Sequence, residues 1–279
     1  MSKYKLISFD MDDTLLNSNK ELPEKNLEMI NKAFDCGKEV ILSTGRCVAL
    51  LKPYIKQIPR LRYINCSSGA LVYDLKENKE IYSNKISIEN ISKILEIAKL
   101  EENMVSIQTT FPVIQQNDFQ NMKYFGMEKY MPFFEKWATK VEDIRAFYKE
   151  NGFPATKINL YHASLEGRAR TRERLKELGL VMIDAEAASL EISAAGVTKA
   201  VGLRKLCECL GISIEETIAV GDANNDLDIL KTAGLSVAMG NANEAVKEIC
   251  DVTVRDCDHD GCAEAIEKYL LSEVAASSQ

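Results

Sequence analysis

Two rhythms of apolar and polar positions take turns along this chain from its first residues. The run Lys5-Leu6-Ile7-Ser8-Phe9 has strand character and empties into the polar loop Asp10-Met11-Asp12-Asp13-Thr14. From Glu24 to Phe34 the apolar residues Leu27, Ile30 and Phe34 recur at helical spacing, and Cys36-Gly37 stops the helix. A strand at 40–43 follows, then a helix from about 46 to 57 ahead of Pro59, then a strand at 61–65. The same order returns after about residue 190. Helix 199–210 ends at Gly211, strand 217–220 follows, and helix 225–233 ends at Gly234. Strand 235–238, helix 242–249, a short strand near 252–254 and a closing helix 261–271 complete the series, and 275–279 reads as a frayed tail. Such β-α-β alternation predicts a parallel sheet with right-handed crossovers.

Between these halves the texture changes. Helices are expected near 88–102, with Ile88, Ile91, Leu95 and Ala98 on one face, and near 165–178. Strand-like stretches stand at 104–109, 112–115, 156–161 and 190–193. Phe111, Phe119, Phe125, Phe133 and Phe134 crowd into the first half of this region and read as its core. The pattern predicts a small α+β domain, 82–189, inserted into a doubly wound parallel-sheet α/β domain made of 1–81 and 190–279.

Composition narrows the setting. The 279 residues are 46% hydrophobic and 28% charged, enough for two cored domains of a soluble protein. A net charge of -7 argues against nucleic acid or anionic membranes as partners. No run of eighteen or more apolar residues occurs, and the start lacks the apolar stretch of a secretory signal, so the expectation is a cytoplasmic protein. The eight cysteines contain no C-x-x-C, and only His162 and His259 could complete a zinc site. They are expected to be reduced thiols serving as small apolar fillers. Nothing in the chain separates a monomer from a homodimer.

The chemistry gathers where strands end. Asp10 lies at the carboxyl end of the first strand, the edge of an open α/β sheet where ligands collect. Carboxylates at Asp10 and Asp12 can divide phosphoryl transfer, the first attacking phosphorus and the second moving the proton. Taken alone, these five residues are equally readable as an acidic turn. Val40-Ile41-Leu42-Ser43-Thr44-Gly45-Arg46 repeats the design with hydroxyls, a glycine and a cation, a composition suited to phosphate. Lys199 stands at an expected helix start, where the dipole disfavours a cation. Thr217-Ile218-Ala219-Val220 leads into Gly221-Asp222-Ala223-Asn224-Asn225-Asp226. By itself Lys199 is readable as a solvated lysine, and Gly221-Asp222 as a turn.

In order, these four fragments resemble the motifs of the haloacid dehalogenase-like (HAD) superfamily, and within it the Cof-type sugar-phosphatase-like branch. The family's D-x-D-x-T matches Asp10, Asp12 and Thr14; its Ser/Thr matches Thr44, followed by the branch's Gly45-Arg46; its lysine matches Lys199; its G-D-x-x-N-D matches Gly221, Asp222, Asn225 and Asp226. Val237-Ala238-Met239-Gly240-Asn241-Ala242, Val246-Lys247 and Asp260-Gly261 also look like this branch. One departure is Asn65-Cys66-Ser67-Ser68-Gly69-Ala70, where the branch reads Asn-Gly-Ala.

The resemblance implies a HAD-like core with a cap insert, and a Mg²⁺-dependent phosphatase of small phosphorylated metabolites working through an aspartyl-phosphate. A carboxylate and a phosphate charge about 4 Å apart repel by roughly 4 kcal/mol at an effective dielectric of about 20, so attack by Asp10 needs cations beside it. Asp10 and Asp222 can each offer Mg²⁺ an oxygen, and the family's third protein ligand is the backbone carbonyl of Asp12. Lys199 would neutralise Asp10 and the transferred group, while Thr44 and the N–H groups of Gly45 and Met11 would hold the equatorial oxygens. Asp12 would protonate the leaving alcohol and then activate water. Asn225 would orient Lys199 or phosphate. Asp226 reads equally as a support behind the ligands or as a helix N-terminal acid. Arg46 reaches either substrate or sheet edge. A phosphomutase on the same core and a non-catalytic binder of phosphometabolites are the competing functions.

Overall fold

β1 (Leu6–Phe9) is buried along its whole length, as a strand covered on both faces must be, and its four residues are apolar but for Ser8. α1 (Glu24–Asp35) returns the chain antiparallel to it, burying Met29, Ile30 and Ala33 on one stripe. β2 (Glu39–Ser43), α2 (Val48–Ile55) and β3 (Tyr63–Cys66) extend the alternation. The sequence pattern then misses a pair. β4 (Leu71–Asp74) runs antiparallel to β3, and β5 (Lys79–Ser83) lies beside it. Each is only four or five residues long, and the polar turn that joins them masks both. The computed structural model describes residues 2–185 and 187–272, so the expected frayed tail lies outside the described residues.

The chain next builds a second compact unit, Ser83–Val197 together with Arg46–Leu51. α3 (Ile88–Ala98) starts at Ser87, whose side chain accepts from the Asn90 N–H. β6 (Asn103–Gln108), β7 (Pro112–Gln115), α4 (Gln116–Gln120), α5 (Met131–Trp137), β8 (Thr139–Val141) and α6 (Ile144–Asn151) follow. β9 (Lys157–His162), α7 (Leu165–Leu175), β10 (Val181–Asp184) and β11 (Ser189–Ser193) finish it. Its sheet has the order β10-β11-β9-β6-β7-β8, antiparallel except between β7 and β8.

This unit corrects the expected boundary at residue 190. β11 pairs antiparallel with both β9 and β10, so 190–197 belong to the inserted unit and the chain leaves it after Val197. Periodicity reports that a segment is a strand, not which sheet it joins. Met104, Ile114, Met122, Met127, Phe134 and Tyr161 form one apolar core of the unit, with Phe119 and Phe125 packed against it. Phe111 instead remains 42% exposed.

The return segment completes the first unit, Met1–Gly45, Lys52–Tyr82 and Thr198–Gln279. α8 (Lys199–Leu210) closes at Gly211, whose φ of +65° is the left-handed conformation that ends helices most cheaply in glycine. β12 (Thr217–Gly221), α9 (Leu227–Leu230), β13 (Leu235–Ala238), α10 (Glu244–Ile249), β14 (Val252–Thr253) and α11 (Gly261–Ala265) follow, the last continuing as a wider turn to Leu270. The eight-stranded sheet has the order β14-β13-β12-β1-β2-β3-β4-β5 and is parallel from β14 to β3. The carboxyl ends of β1, β2, β3, β12 and β13 therefore share one edge. Among the described residues no helix is long and apolar enough to cross a membrane.

Candidate active site

Four of the loops on that edge carry the charged residues singled out in the sequence. Asp10 caps β1, and the chain then turns widely: the Leu15 N–H donates to the Asp10 carbonyl at 3.3 Å, and the Leu16 N–H to Met11 at 2.9 Å. Asp13, with φ of 61°, occupies the left-handed region that acidic residues tolerate in turns. Thr44 follows β2 and is buried; its N–H donates to Asn65 O, and its carbonyl accepts from Ser68.

Lys199 occupies the first turn of α8, where Thr198 is the cap and accepts from the Val201 N–H. Its ammonium is not solvated. Lys199 Nζ lies 2.5 Å from Asp10 Oδ1 and 2.7 Å from Asp226 Oδ1, and all three side chains are at most 8% exposed. Burial opposes the charge on Lys199, but the two carboxylates outweigh it and hold the ammonium above the ordinary lysine range. The unfavourable helix-dipole position is thus offset by two acids.

Asp226 does more than face Lys199. Its Oδ2 accepts the backbone N–H groups of Asp222 at 3.2 Å and Ala223 at 3.3 Å, so both oxygens are engaged. This fold-back explains why the helix expected from residue 225 is reduced to a tight turn at Asn224–Asp226 and a short α9. It also explains Gly221: a Cβ there would stand 2.7 Å from the Asp226 side chain. Asp226 is therefore in contact with Lys199 and fixed by its own backbone partners, whereas Asn225 is exposed.

Asp222 is held from the other side, its Oδ1 accepting from Thr14 Oγ1 at 2.8 Å. Carboxylate oxygens of Asp10, Asp222 and Asp226 lie within 4.8 Å of one another. Burial raises the Asp10 pKa to about 8 against the pull of Lys199, and the charges of Asp226 and Asp222 add to the rise. Burial likewise lifts Asp222 to about 6, opposed by the Thr14 hydrogen bond and aided by Asp226. With every group ionised, three carboxylates face one ammonium and two negative charges stay uncompensated. Lys199 takes one oxygen of Asp10 and Thr14 one of Asp222, so each keeps an oxygen for a divalent cation. The donor set fits one.

Asp12 points elsewhere. Its side chain is 40% exposed and lies 3.6 Å from Lys20 Nζ, which also meets Asp13 at 2.9 Å. Arg46, grouped with the second unit, stacks its guanidinium over Phe133 with the ring centroid 5.5 Å away.

Three asparagines without a role in the sequence reading support these loops. Asn65 Nδ2, fully buried, donates to Ser43 Oγ at 2.7 Å and to the Lys199 carbonyl at 2.8 Å, tying β2 and β3 to the start of α8. Asn241 Nδ2 donates to the Asp13 carbonyl at 2.7 Å, and Asn243 Nδ2 to Asn224 Oδ1 at 3.1 Å. In the sequence Asn65 stands inside the third core strand, and Asn241 and Asn243 come a few residues after Leu235–Ala238, with no local pattern that marks them as supports.

Comparison with known proteins agrees with this architecture. A 5-amino-6-(5-phospho-D-ribitylamino)uracil phosphatase of Bacillus subtilis (strain 168), YitU, is 31% identical over 274 residues, covering 95% of this chain and 97% of that protein. A second of the same description and organism, YcsE, is 28% identical over 277 residues, covering 96% of each. The crystal structure of a haloacid dehalogenase-like hydrolase from Bacteroides thetaiotaomicron superposes with a TM-score of 0.84 at 28% identity, covering 95% of this chain and 98% of that one. The haloacid dehalogenase-like hydrolase family model matches residues 7–266. With that span nearly end to end, and with the strand-end acids gathered around one buried lysine, this chain belongs to the haloacid dehalogenase-like hydrolases.

Proposed function

We propose that the protein is a Mg²⁺-dependent phosphatase of small phosphorylated molecules, acting through a phosphorylated Asp10. The observation that carries this reading is the Lys199 ammonium held between Asp10 and Asp226, with Asp222 beside them. A carboxylate can attack a phosphate dianion only where cations offset their repulsion. Lys199 supplies one such charge. Asp10 and Asp222 would hold the metal through their remaining oxygens, with the Asp12 carbonyl as a third ligand, and bound Mg²⁺ would supply charge stabilisation at the phosphoryl oxygens.

The chain's own residues divide the rest. Asp10 attacks phosphorus. Thr44, with the N–H groups of Met11 and Gly45, binds the phosphoryl oxygens as charge spreads over them. Asp12 gives a proton to the departing alcohol and takes one from the water that cleaves the aspartyl-phosphate. One group serves both steps because they mirror each other. Asp226 keeps Lys199 aimed at Asp10. The names of the Bacillus relatives support a phosphorylated small molecule as substrate. The inserted unit is proposed as the element that selects the ester.

The test is release of inorganic phosphate from a panel of small phosphate monoesters, with Mg²⁺ and after chelation by EDTA. Release that chelation stops is the expected result. No release from any ester would overturn the reading.

A further inference from the structure

β3 is buried along its whole length, and a strand covered on both faces is ordinarily apolar throughout. Asn65 departs from that rule. It is 0% exposed, and its Oδ1 has no hydrogen-bond partner, although its Nδ2 donates to Ser43 Oγ and to the Lys199 carbonyl. A buried amide with an orphaned acceptor costs stability that an aliphatic side chain of similar volume would not. The stability of the strand therefore does not account for Asn65.

The helix beside it makes a matching concession. α8 crosses Asn65 at Gly202, where a Cβ would overlap the Oδ1 and Cγ of the amide. Glycine inside a helix weakens it relative to alanine. Two unfavourable choices, a buried amide and a helical glycine, thus meet at one contact.

What they secure is the first turn of α8. The amide holds the carbonyl of Lys199 itself, and the loop after β3 adds Gly69, set so close to Thr198 that a Cβ there would overlap the Thr198 carbonyl. In that loop Ser67, Ser68 and Gly69 all have positive φ, of 51°, 60° and 97°, a strain that persists only where neighbours fix the backbone. The Ser68 N–H is fixed on the Thr44 carbonyl at 3.0 Å, and the Thr44 N–H donates to the Asn65 carbonyl at 2.9 Å. The main chain of Asn65 thus holds Thr44, while its side chain holds Lys199. A lysine ammonium rides on a long flexible stem, so it is aimed only where its Cα is fixed.

We infer that Asn65 is a positioning residue for phosphoryl transfer: its amide fixes the start of α8, and with it the place of the Lys199 ammonium beside Asp10. The inference rests on the phosphatase reading and concerns how the cation is held, whichever ester is cleaved.

The test separates the hydrogen bond from the packing. Asn65→Ala removes both. Adding Gly202→Ala returns volume, because the new methyl falls where the amide stood, but it does not return the donor to Lys199. We would measure kcat and KM for p-nitrophenyl phosphate in Mg²⁺, and Tm on the same preparations, with all rates taken well below Tm. Tm should fall in the single variant and be regained in the double one. In both, kcat and kcat/KM should fall together by about 10–100-fold, the pattern of an interaction lost in the transition state. Recovery of kcat along with Tm in the double variant would make Asn65 a packing residue and overturn the inference. So would a wild-type kcat in either variant, or a loss confined to KM. A double variant no more stable than the single one would remove the contact on which the inference stands. Failure of the phosphatase reading shows separately, as absence of phosphate release by the wild-type protein from this or any other ester.

Discussion

Thr14 Oγ1 donates to Asp222 Oδ1 across 2.8 Å, joining two loops that stand 208 residues apart in the chain. The bond fixes which oxygen of Asp222 stays available and sets its distance from Asp10. Thr14→Val keeps the shape of the side chain and removes the donor. Metal affinity should fall roughly 10–100-fold, the usual effect of losing a partner that orients a ligand. The Mg²⁺ concentration giving half-maximal activity reads this directly. An unchanged value would show that Asp222 is not a metal ligand.

Asp10→Asn should abolish turnover, by roughly 10⁴-fold or more, the scale on which loss of a covalent nucleophile is felt. The amide is nearly isosteric and still accepts from Lys199, so the melting transition should persist. Phosphate release and thermal melting are measured on one preparation. Substantial activity in a well-folded variant would eliminate the aspartyl-phosphate.

Asp12→Asn spares the backbone carbonyl and removes the proton shuttle. Turnover should fall about 10²–10⁴-fold, with a much smaller change in Mg²⁺ affinity. The partly exposed side chain near Lys20 supports this separation, since the carboxylate is not built into the Asp10–Lys199–Asp226 cluster. Parallel losses of rate and metal affinity would instead make the Asp12 side chain a ligand.

Mg²⁺ should stabilise the protein as well as activate it. The crowded carboxylates of Asp10, Asp222 and Asp226 repel one another until a cation arrives, so binding favours the folded state. At a concentration about 100 times Kd the gain is about 2.7 kcal/mol, visible as a rise in Tm. Ca²⁺ should support activity poorly, because its larger coordination shell misplaces Asp10 relative to phosphorus. A Tm indifferent to Mg²⁺ would contradict the metal site.

His162 should make the inserted unit sensitive to acid. The ring is 2% exposed, and its nitrogens meet Ala188 O and Thr171 Oγ1. Burial holds its pKa below the ordinary value. The unfolded chain therefore takes up a proton first as pH falls. The stabilisation is complete above about pH 6.5 and is lost as pH drops through the depressed folded value. The difference in Tm between wild type and His162→Leu should shrink between pH 8 and 5. A difference that stays constant across this range would show that the ring does not titrate on unfolding.

The sequence alone determined the parallel α/β core and the order of its strand-end loops. Each of those signals is local: an apolar run of four or five residues, a helical period, a glycine stop, acids directly behind a strand. The run Leu6–Phe9 could be read without its neighbours because a strand buried on both faces is apolar nearly throughout. What only the tertiary structure decided are pairings between distant residues. Asp226 meets Lys199 because a fold-back over Gly221 brings it there, 27 residues along the chain and with no periodic signal. Asn65 ties β3 to α8 across 134 residues. β11 has the texture of any short strand, and only its hydrogen bonds to β9 and β10 assign it to the inserted unit. That the sheet face carrying Ser106, Gln108, Lys157 and Asn159 in the inserted unit is buried although polar was equally hidden. Alternation announces which residues share a face, but whether the face meets water, protein or ligand depends on what the rest of the chain brings against it.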